Sequence, residues 1–331
     1  MEFRKLGDSD LQVSSISLGS WLTYAGGVSR ARTEACTRAA FEAGITFFDT
    51  ANVYGRGAAE TAWGEILSGY PRDSYVLATK LFWPMADGHD GGLSAAEVHG
   101  QLDASLARLR TDYVDLYQCH RFDPDTPIEE TVEALRDVVR AGKARWVGFS
   151  EWTVEQIKAA LELKETQRFV SSQPQYNMLW RGPEREIFGL CARNGIGQIV
   201  WSPLAQGILT GKYQPGQKPP ADSRAANREM GGFMKNRLRD EVAAAVQRLR
   251  PVAEQAGLSL SHLALAWVLR RPEVASAIVG ASRPEQVFDN AKAAGVTLSA
   301  DTLTAIDQAL GDVVVREFEL AAGARAGVRH R

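Results

Sequence analysis

Eight short apolar segments recur along this chain, at residues 16–19, 47–50, 75–79, 113–118, 145–149, 169–172, 197–201 and 275–279, and stretches of helical apolar spacing separate them. No other pattern in the sequence restricts the fold so tightly. Strands alternating with helices demand a parallel sheet with right-handed crossovers, and eight strands suffice to close that sheet into a barrel. The expectation is a single α/β domain, a (β/α)8 TIM barrel, over residues 1–311. A chain of 331 residues with 45% hydrophobic composition can fill such a core.

Local punctuation agrees with this reading. Asp125 or Thr126 can cap a helix that takes Pro127 into its first turn and ends at Gly142. Asn194-Gly195, Gly257 and Gly295 end other periodic stretches. Ahead of the first barrel strand, residues 3–6 and 11–13 flank the turn Gly7-Asp8-Ser9, and the pair reads as a hairpin lidding one barrel end. Three stretches exceed the short connections a barrel needs: 82–92, 205–240, and everything after the last strand's own helix, including an extra helical segment at 300–310. The first two follow strands three and seven, on the C-terminal face where such barrels carry their sites. Residues 312–331 are expected to form a flexible tail, because Arg316 onward carries Gly, Ala and Arg without periodicity.

Composition narrows the function classes. A net charge of −2 and a pI near 6.3 do not suit a nucleic-acid or polyanion binder. Cys36, Cys119 and Cys191 are odd in number and outside any CxxC spacing, against both a disulfide framework and a structural zinc site. Met1 leads into polar sequence, and no run approaches the roughly 20 apolar residues of a membrane span. The expectation is a soluble, cytoplasmic protein with a small-molecule partner, no nucleic acid, no membrane and no metal; self-association stays open.

Four polar residues stand at or just past predicted strand ends: Asp49, Tyr54, Lys80 and His120. A tyrosine hydroxyl is a poor proton donor near neutrality because its reference pKa is about 10. Lys80 beside Tyr54 would stabilise the phenolate left after donation, Asp49 would hold Lys80, and His120 could hydrogen-bond a substrate oxygen. Such a set suits protonation of a carbonyl oxygen while hydride arrives at carbon.

The segment Phe47-Phe48-Asp49-Thr50-Ala51-Asn52-Val53-Tyr54-Gly55, with Ala59-Glu60 and Gly64 beyond it, resembles the signature of the aldo-keto reductases. Their Asp, Tyr, Lys and His fall on Asp49, Tyr54, Lys80 and His120, and the similarity spans residues 3–311. Trp146 to Trp152, Gln173 to Asn177, Trp201 to Gly207 and Gly280 to Arg283 look most like the branch holding bacterial reductases and the potassium-channel beta subunits. The channel subunits carry Asn in place of His120 and Arg in place of Glu151, departures that favour an enzyme.

This resemblance implies NADPH/NADP+ laid across the barrel mouth. Carried over position by position, Ser20, Trp21 and Asp49 would lie at the first strand ends, Ser150 and Gln173 would contact the nicotinamide, and Tyr176 would stack on it. Trp201, Ser202, Pro203, Leu204 and Gln206 would line the pyrophosphate path, with Lys212 on a phosphate and Arg224 near adenine. Gly280, Ser282, Arg283, Gln286, Asp289 and Asn290 would hold the adenosine half. Independently of the resemblance, Ser282 can cap a helix starting at Pro284, which would present its N-terminal amides to an anion. The stretch 212–239 carries seven Lys or Arg against Asp222 and Glu229, which suits a strap over a phosphate-rich ligand. Trp21, Tyr24, Trp83 and, with His120, Trp180 would shape the pocket for a carbonyl substrate.

Other readings are weaker. Gly55-Arg56-Gly57 mimics a dinucleotide fingerprint, but Glu60 stands at the third glycine. His120 lacks a second His at ligand spacing, and Asp123 with Asp125 reads as turn chemistry. The leading expectation is an NADPH-dependent aldo/keto reductase; the alternatives are a cofactor-sensing regulatory subunit with slow turnover, or a keto-sugar reductase.

Overall fold

In this computed structural model eight strands close into a continuous parallel barrel, with apolar side chains such as Phe47, Ala78, Leu116, Val170 and Ile199 turned to its axis and Ile16, Leu18, Phe48, Leu77 and Val147 turned to the surrounding helices. The structure describes residues 1–88, 90–163, 169–221, 223–227, 231–234 and 237–317. An antiparallel hairpin, β1 (Phe3–Lys5) and β2 (Gln12–Ser14), precedes the barrel. The barrel strands are β3 (Ile16–Gly19), β4 (Phe47–Asp49), β5 (Val76–Leu81), β6 (Val114–Cys119), β7 (Ala144–Phe149), β8 (Phe169–Ser172), β9 (Gly197–Val200) and β10 (Val274–Val279), with β10 closing on both β3 and β9. All eight expected strands are present, with ends shifted by two residues or fewer.

The hairpin closes the N-terminal end of the barrel. Leu6, Leu11 and Val13 meet Phe47, Ala78, Leu116, Val170, Ile199 and Ala275 in a small apolar cluster. Asp8 donates its amide to the Gly195 carbonyl at 2.8 Å, and a side chain on Gly7 would collide with that oxygen, so the turn sits directly on the start of β9. The other end is polar by the same two-residue period. Two positions beyond Phe47 comes Asp49, beyond Ala78 comes Lys80, and beyond Leu116 come Gln118 and His120. An apolar floor thus carries a polar layer above it. In that layer Lys80 pairs with Gln118, Gln118 with Gly148, and Gly148 with Ser171. Gly148 makes room there, since a Cβ would lie 2.0 Å from Ser171 Oγ and 2.9 Å from its carbonyl.

The helices α1 (Arg30–Glu42), α2 (Ala58–Leu67), α3 (Ala95–Leu109), α4 (Ile128–Arg140), α5 (Val154–Glu162), α6 (Ile187–Arg193), α7 (Asp240–Gln255), α8 (Leu260–Leu269), α9 (Pro284–Ala291) and α10 (Ala300–Leu310) surround the barrel. Gly142, Gly195, Gly257 and Gly295 adopt positive φ where helices end, as expected. The expected Asp125 or Thr126 cap on α4 is not formed. Asp123 ties that turn instead, accepting from the Asp125 amide and the Thr126 hydroxyl, and Pro127 takes the cap position without a side-chain bond. Helices α7 and α10 are additions that pack on each other. Beyond α10, the Val315 amide donates to the Leu179 carbonyl at 2.9 Å and the Val315 carbonyl accepts from the Arg181 amide at 2.8 Å, so this part of the expected tail docks on the loop after β8. Residues 318–331 lie outside the described residues.

Candidate active site

A buried ion pair lies at the C-terminal ends of β4 and β5. Lys80 is fully buried, and its ammonium donates to Asp49 Oδ1 at 2.5 Å and to the Thr50 carbonyl at 2.7 Å. The second carboxylate oxygen of Asp49 accepts from Gln173 Nε2 at 2.9 Å and from Gln118 Nε2 at 3.4 Å. Gln118 in turn accepts from Ser171 Oγ at 3.2 Å, and Ser150 Oγ donates to the Gln173 carbonyl at 2.8 Å. Both charges are therefore paired and hydrogen-bonded, the condition under which burial is tolerable.

Tyr54 and His120 face each other over this pair. Their rings meet edge to face with centroids 5.7 Å apart, and Lys80 Nζ lies 5.2 Å from the centre of the Tyr54 ring. Removal from water raises the Tyr54 phenol above its ordinary value; Lys80 pulls it down, by charge and by a hydrogen bond, and Asp49 pushes it up. Lys80 thus acts in the expected sense but is outweighed, leaving a phenol that holds its proton at neutrality. Burial lowers the proton affinity of Lys80 itself, yet Asp49 and Tyr54 together lift it above the usual lysine value. Burial, then Arg121 and Lys80, hold His120 well below its ordinary value. Its imidazole is neutral near pH 7, and Nδ1 is buried without a hydrogen-bond partner.

A second group of residues offers a cradle beside this centre. After β9 the backbone takes left-handed φ at Ser202, Ala205, Gln206 and Gly207, a conformation costing roughly 1–2 kcal/mol at each non-glycine position. Asn177 Nδ2 braces that turn by donating to the Ser202 carbonyl at 3.0 Å. Buried within it, Gln206 Oε1 has no partner. The ammonium of Lys212 comes within 3.4 Å of where a Gly207 side chain would start. Gly280, at the end of β10, is exposed; a Cβ there would approach only Thr23 Oγ1 at 3.5 Å and an Arg224 nitrogen at 4.0 Å. The Arg224 guanidinium also stands 5.8 Å from the Trp21 ring. Helix α9 begins beside Gly280 with Arg283 at its cap position and no side-chain cap bond. Pro284 has no N–H and the Gln286 amide donates to the Arg283 carbonyl at 3.1 Å, so of the first three helical residues Glu285 keeps an amide for an anion.

Some sequence expectations are corrected here. Ser282 does not cap α9: its amide and hydroxyl both donate to Gln286 Oε1, at 2.8 and 3.2 Å, which folds the loop onto the helix. Tyr176 cannot stack on a ligand in the mouth. It is fully buried, its ring packs on Trp267 of α8 at 5.2 Å, and its hydroxyl is held by Glu184 and Arg270. Tyr24 does not line a pocket either, being 3% exposed, packed on Trp63, and bonded through its hydroxyl to the Ala281 carbonyl at 2.9 Å. Ser20 is buried with its hydroxyl donated to Thr50, so it braces strand ends. Asp289 engages His262 and Lys292. Trp180 pairs through its backbone with Asn177 and Val315. Asn290 is buried, and Pro203 and Leu204 sit within the strained turn.

The sequence profile of the aldo/keto reductase family matches residues 15–310. The chain belongs to the aldo/keto reductase family. Among curated relatives of this aldo/keto reductase, a probable voltage-gated potassium channel subunit beta of Oryza sativa subsp. japonica is 40% identical over 302 residues, covering 89% of this chain and 92% of the relative. A protein of the same description from Arabidopsis thaliana is 39% identical with the same coverage. A putative one from Schizosaccharomyces pombe is 38% identical over 319 residues, 93% of each chain. Among solved structures, a glycerol dehydrogenase from Gluconobacter oxydans superposes with a TM-score of 0.81 at 28% identity, covering 96% of this chain and 97% of the other. Membership of this family supports an oxidoreductase activity. Among the described residues no helix is long and apolar enough to cross a membrane, and no cluster of side chains is placed to hold a metal ion.

Two residues of this aldo/keto reductase site, Gln118 and Arg121, escaped the sequence reading, and Glu151 entered it only as a departure from the channel subunits. Gln118 hydrogen-bonds Asp49, and its position two before His120 on one strand was a usable signal. Glu151 adopts positive φ, and its Oε1 accepts from the Gln175 amide at 2.6 Å and from Trp201 Nε1 at 3.0 Å. Arg121 donates to its neighbour's carbonyl, His120 O, at 2.5 Å, and nothing in sequence spacing singled it out.

Proposed function

We propose that this aldo/keto reductase reduces an aldehyde or ketone with NADPH, using Tyr54 as the proton donor to the carbonyl oxygen. The observation that carries the reading is the fully buried Asp49–Lys80 pair set under Tyr54, with neutral His120 across the ring. Burying two charges costs several kcal/mol each after relaxation, an outlay without return unless the pair tunes a neighbour. Tyr54 starts protonated; as its Oη–H bond breaks and the proton passes to the substrate oxygen, the adjacent ammonium offsets the new phenolate charge. His120 positions that oxygen, and Asp49 keeps Lys80 charged and in place.

Bound NADPH would supply the hydride. The turn from Trp201 through Ser202, Pro203 and Leu204 to Gln206, with Lys212, fits its pyrophosphate, and the unpartnered Gln206 oxygen and strained backbone support that fit. Gly280, Ser282, Arg283, Gln286 and Asn290, with Arg224 above Gly280, suit the adenosine half, and Ser150 and Gln173 suit the nicotinamide amide. Tyr54→Phe tests the reading: kcat should fall about 10²- to 10⁴-fold while NADPH affinity, titrated by fluorescence, holds. Retained kcat refutes it.

The names of the relatives at 38–40% identity support a second reading, a regulatory subunit that holds the cofactor and turns over slowly. Steady-state turnover of 4-nitrobenzaldehyde separates the two.

A further inference from the structure

We infer that the carbonyl substrate is an anion, a small aldehyde or ketone bearing a carboxylate or phosphate, and that Arg121 and Arg237 bind its charge. The inference rests on the reductase reading and names the substrate class for that site. Arg121 follows His120 directly; one of its terminal nitrogens is spent on the His120 carbonyl, while Nε is buried without a partner. Its guanidinium lies 5.8 Å from the Trp83 ring. Arg237, from the long segment after β9, has its guanidinium 5.7 Å from the Trp180 ring and one terminal nitrogen buried and unpartnered. Both guanidinium groups sense the Glu151 carboxylate, and Arg121 also senses Tyr54, which ties the pair to the reacting end. Neither arginine has a carboxylate within 4.0 Å among the described residues. Two cations against one carboxylate leave a net positive charge, and Glu151 Oε1 is already committed to Gln175 and Trp201.

Three arginines around one surface cavity behave differently. Around the cavity at Gly55 to Ala58, Arg30, Arg56 and Arg108 are each matched by an acid, Glu65, Asp87 and Glu60 respectively. The basic segment after β9 also divides: Arg224 goes to Gly280 and Trp21, Lys212 to Gly207, and Arg237 to Trp180. Arg237 therefore meets a different ring from those that Arg224 and Lys212 approach. A planar guanidinium with spare N–H donors, half removed from water, matches the oxygen geometry of a carboxylate or phosphate.

The test compares 4-carboxybenzaldehyde with its methyl ester, and glycolaldehyde phosphate with glycolaldehyde, using NADPH consumption. The acid or the phosphate should exceed its neutral partner about tenfold or more in kcat/KM, chiefly through KM, and the advantage should shrink as ionic strength rises. Arg121→Met and Arg237→Met should each cut the anion-to-neutral ratio about tenfold. The two substrate pairs identify which anion is preferred. Neutral substrates turned over as well as both anions, or ratios unmoved in both variants, overturn the inference while leaving the reductase reading standing. Absence of turnover with every substrate overturns the reductase reading instead; binding of terephthalate against dimethyl terephthalate to the NADPH-loaded protein then still decides the anion preference.

Discussion

Asp49→Asn isolates what the buried ion pair contributes, because it removes one charge while conserving shape. In the native protein Lys80 is enclosed, 2.5 Å from Asp49 Oδ1, and its proton affinity lies above the ordinary lysine value only because Asp49 and Tyr54 outweigh the penalty of burial. With Asp49 neutral, burial dominates and the sign of that shift reverses. Removing one member of a buried pair costs about 3–5 kcal/mol, and that is the loss expected at pH 7. The pH dependence distinguishes this mechanism from loose packing. A raised folded-state pKa gives stability that is complete below the unfolded lysine value, about 10.4, and is lost as pH climbs through the folded value. The wild type should therefore show no dependence from Lys80 between pH 6 and 9. In the variant the unfolded chain binds the proton more tightly than the native state, so stability should rise with pH across that window and the deficit should narrow. Urea unfolding followed by tryptophan fluorescence at several pH values measures both. Asp49→Asn with Lys80→Met should recover most of the loss, since an apolar pair leaves no charge stranded. A deficit below about 1 kcal/mol, or parallel pH curves for the two proteins, refutes the electrostatic account.

Other outcomes follow from the same geometry. Because His120 is held well below its ordinary value, kcat/KM should show no histidine limb between pH 6 and 8; an inflection near 6.5 that disappears in His120→Asn would contradict this. Arg283, exposed at the uncapped start of α9, should favour NADPH over NADH, and Arg283→Ala should erase that preference; equal kcat/KM for the two cofactors in the native protein, or a like-sized loss with both in the variant, counts against it.

The barrel was legible because its signal is repeated: interior parity recurs in every strand, and β3 and β8 match their expected bounds. Asp49, Lys80 and His120 were legible for the same reason, each lying in step with an apolar residue below it on its own strand. Where the chain leaves the strand that rule weakens. Tyr176 follows Gln173 by an odd number of residues, so when Gln173 faces Asp49 the tyrosine turns outward against Trp267. Tyr24 and Ser282 lie in loops whose hydrogen bonds are made to distant or folded-back partners, Ala281 and Gln286, and spacing does not encode those. Arg121 escaped notice, and Arg237 was read only as one cation of the basic strap, because an arginine's role depends on whether an acid meets it in space. Composition shows only that the chain carries 38 basic and 40 acidic residues, not where they fail to match.

That mismatch bears on the chemistry through one potential. The positive field that disfavours a second proton on His120 comes from Lys80 and Arg121 after burial. A carbonyl oxygen placed between Tyr54 and His120 would feel the same field, and as it gains negative charge the field lowers its energy. Keeping His120 neutral and steadying a developing oxyanion are thus two effects of the same charges. Changing Arg121 must move both together: as its charge is removed, the proton affinity of His120 should rise while the stabilisation of the oxyanion falls. A variant that shifted one without the other would show that the two groups do not share an environment, and the placement of the carbonyl oxygen between Tyr54 and His120 would have to be abandoned.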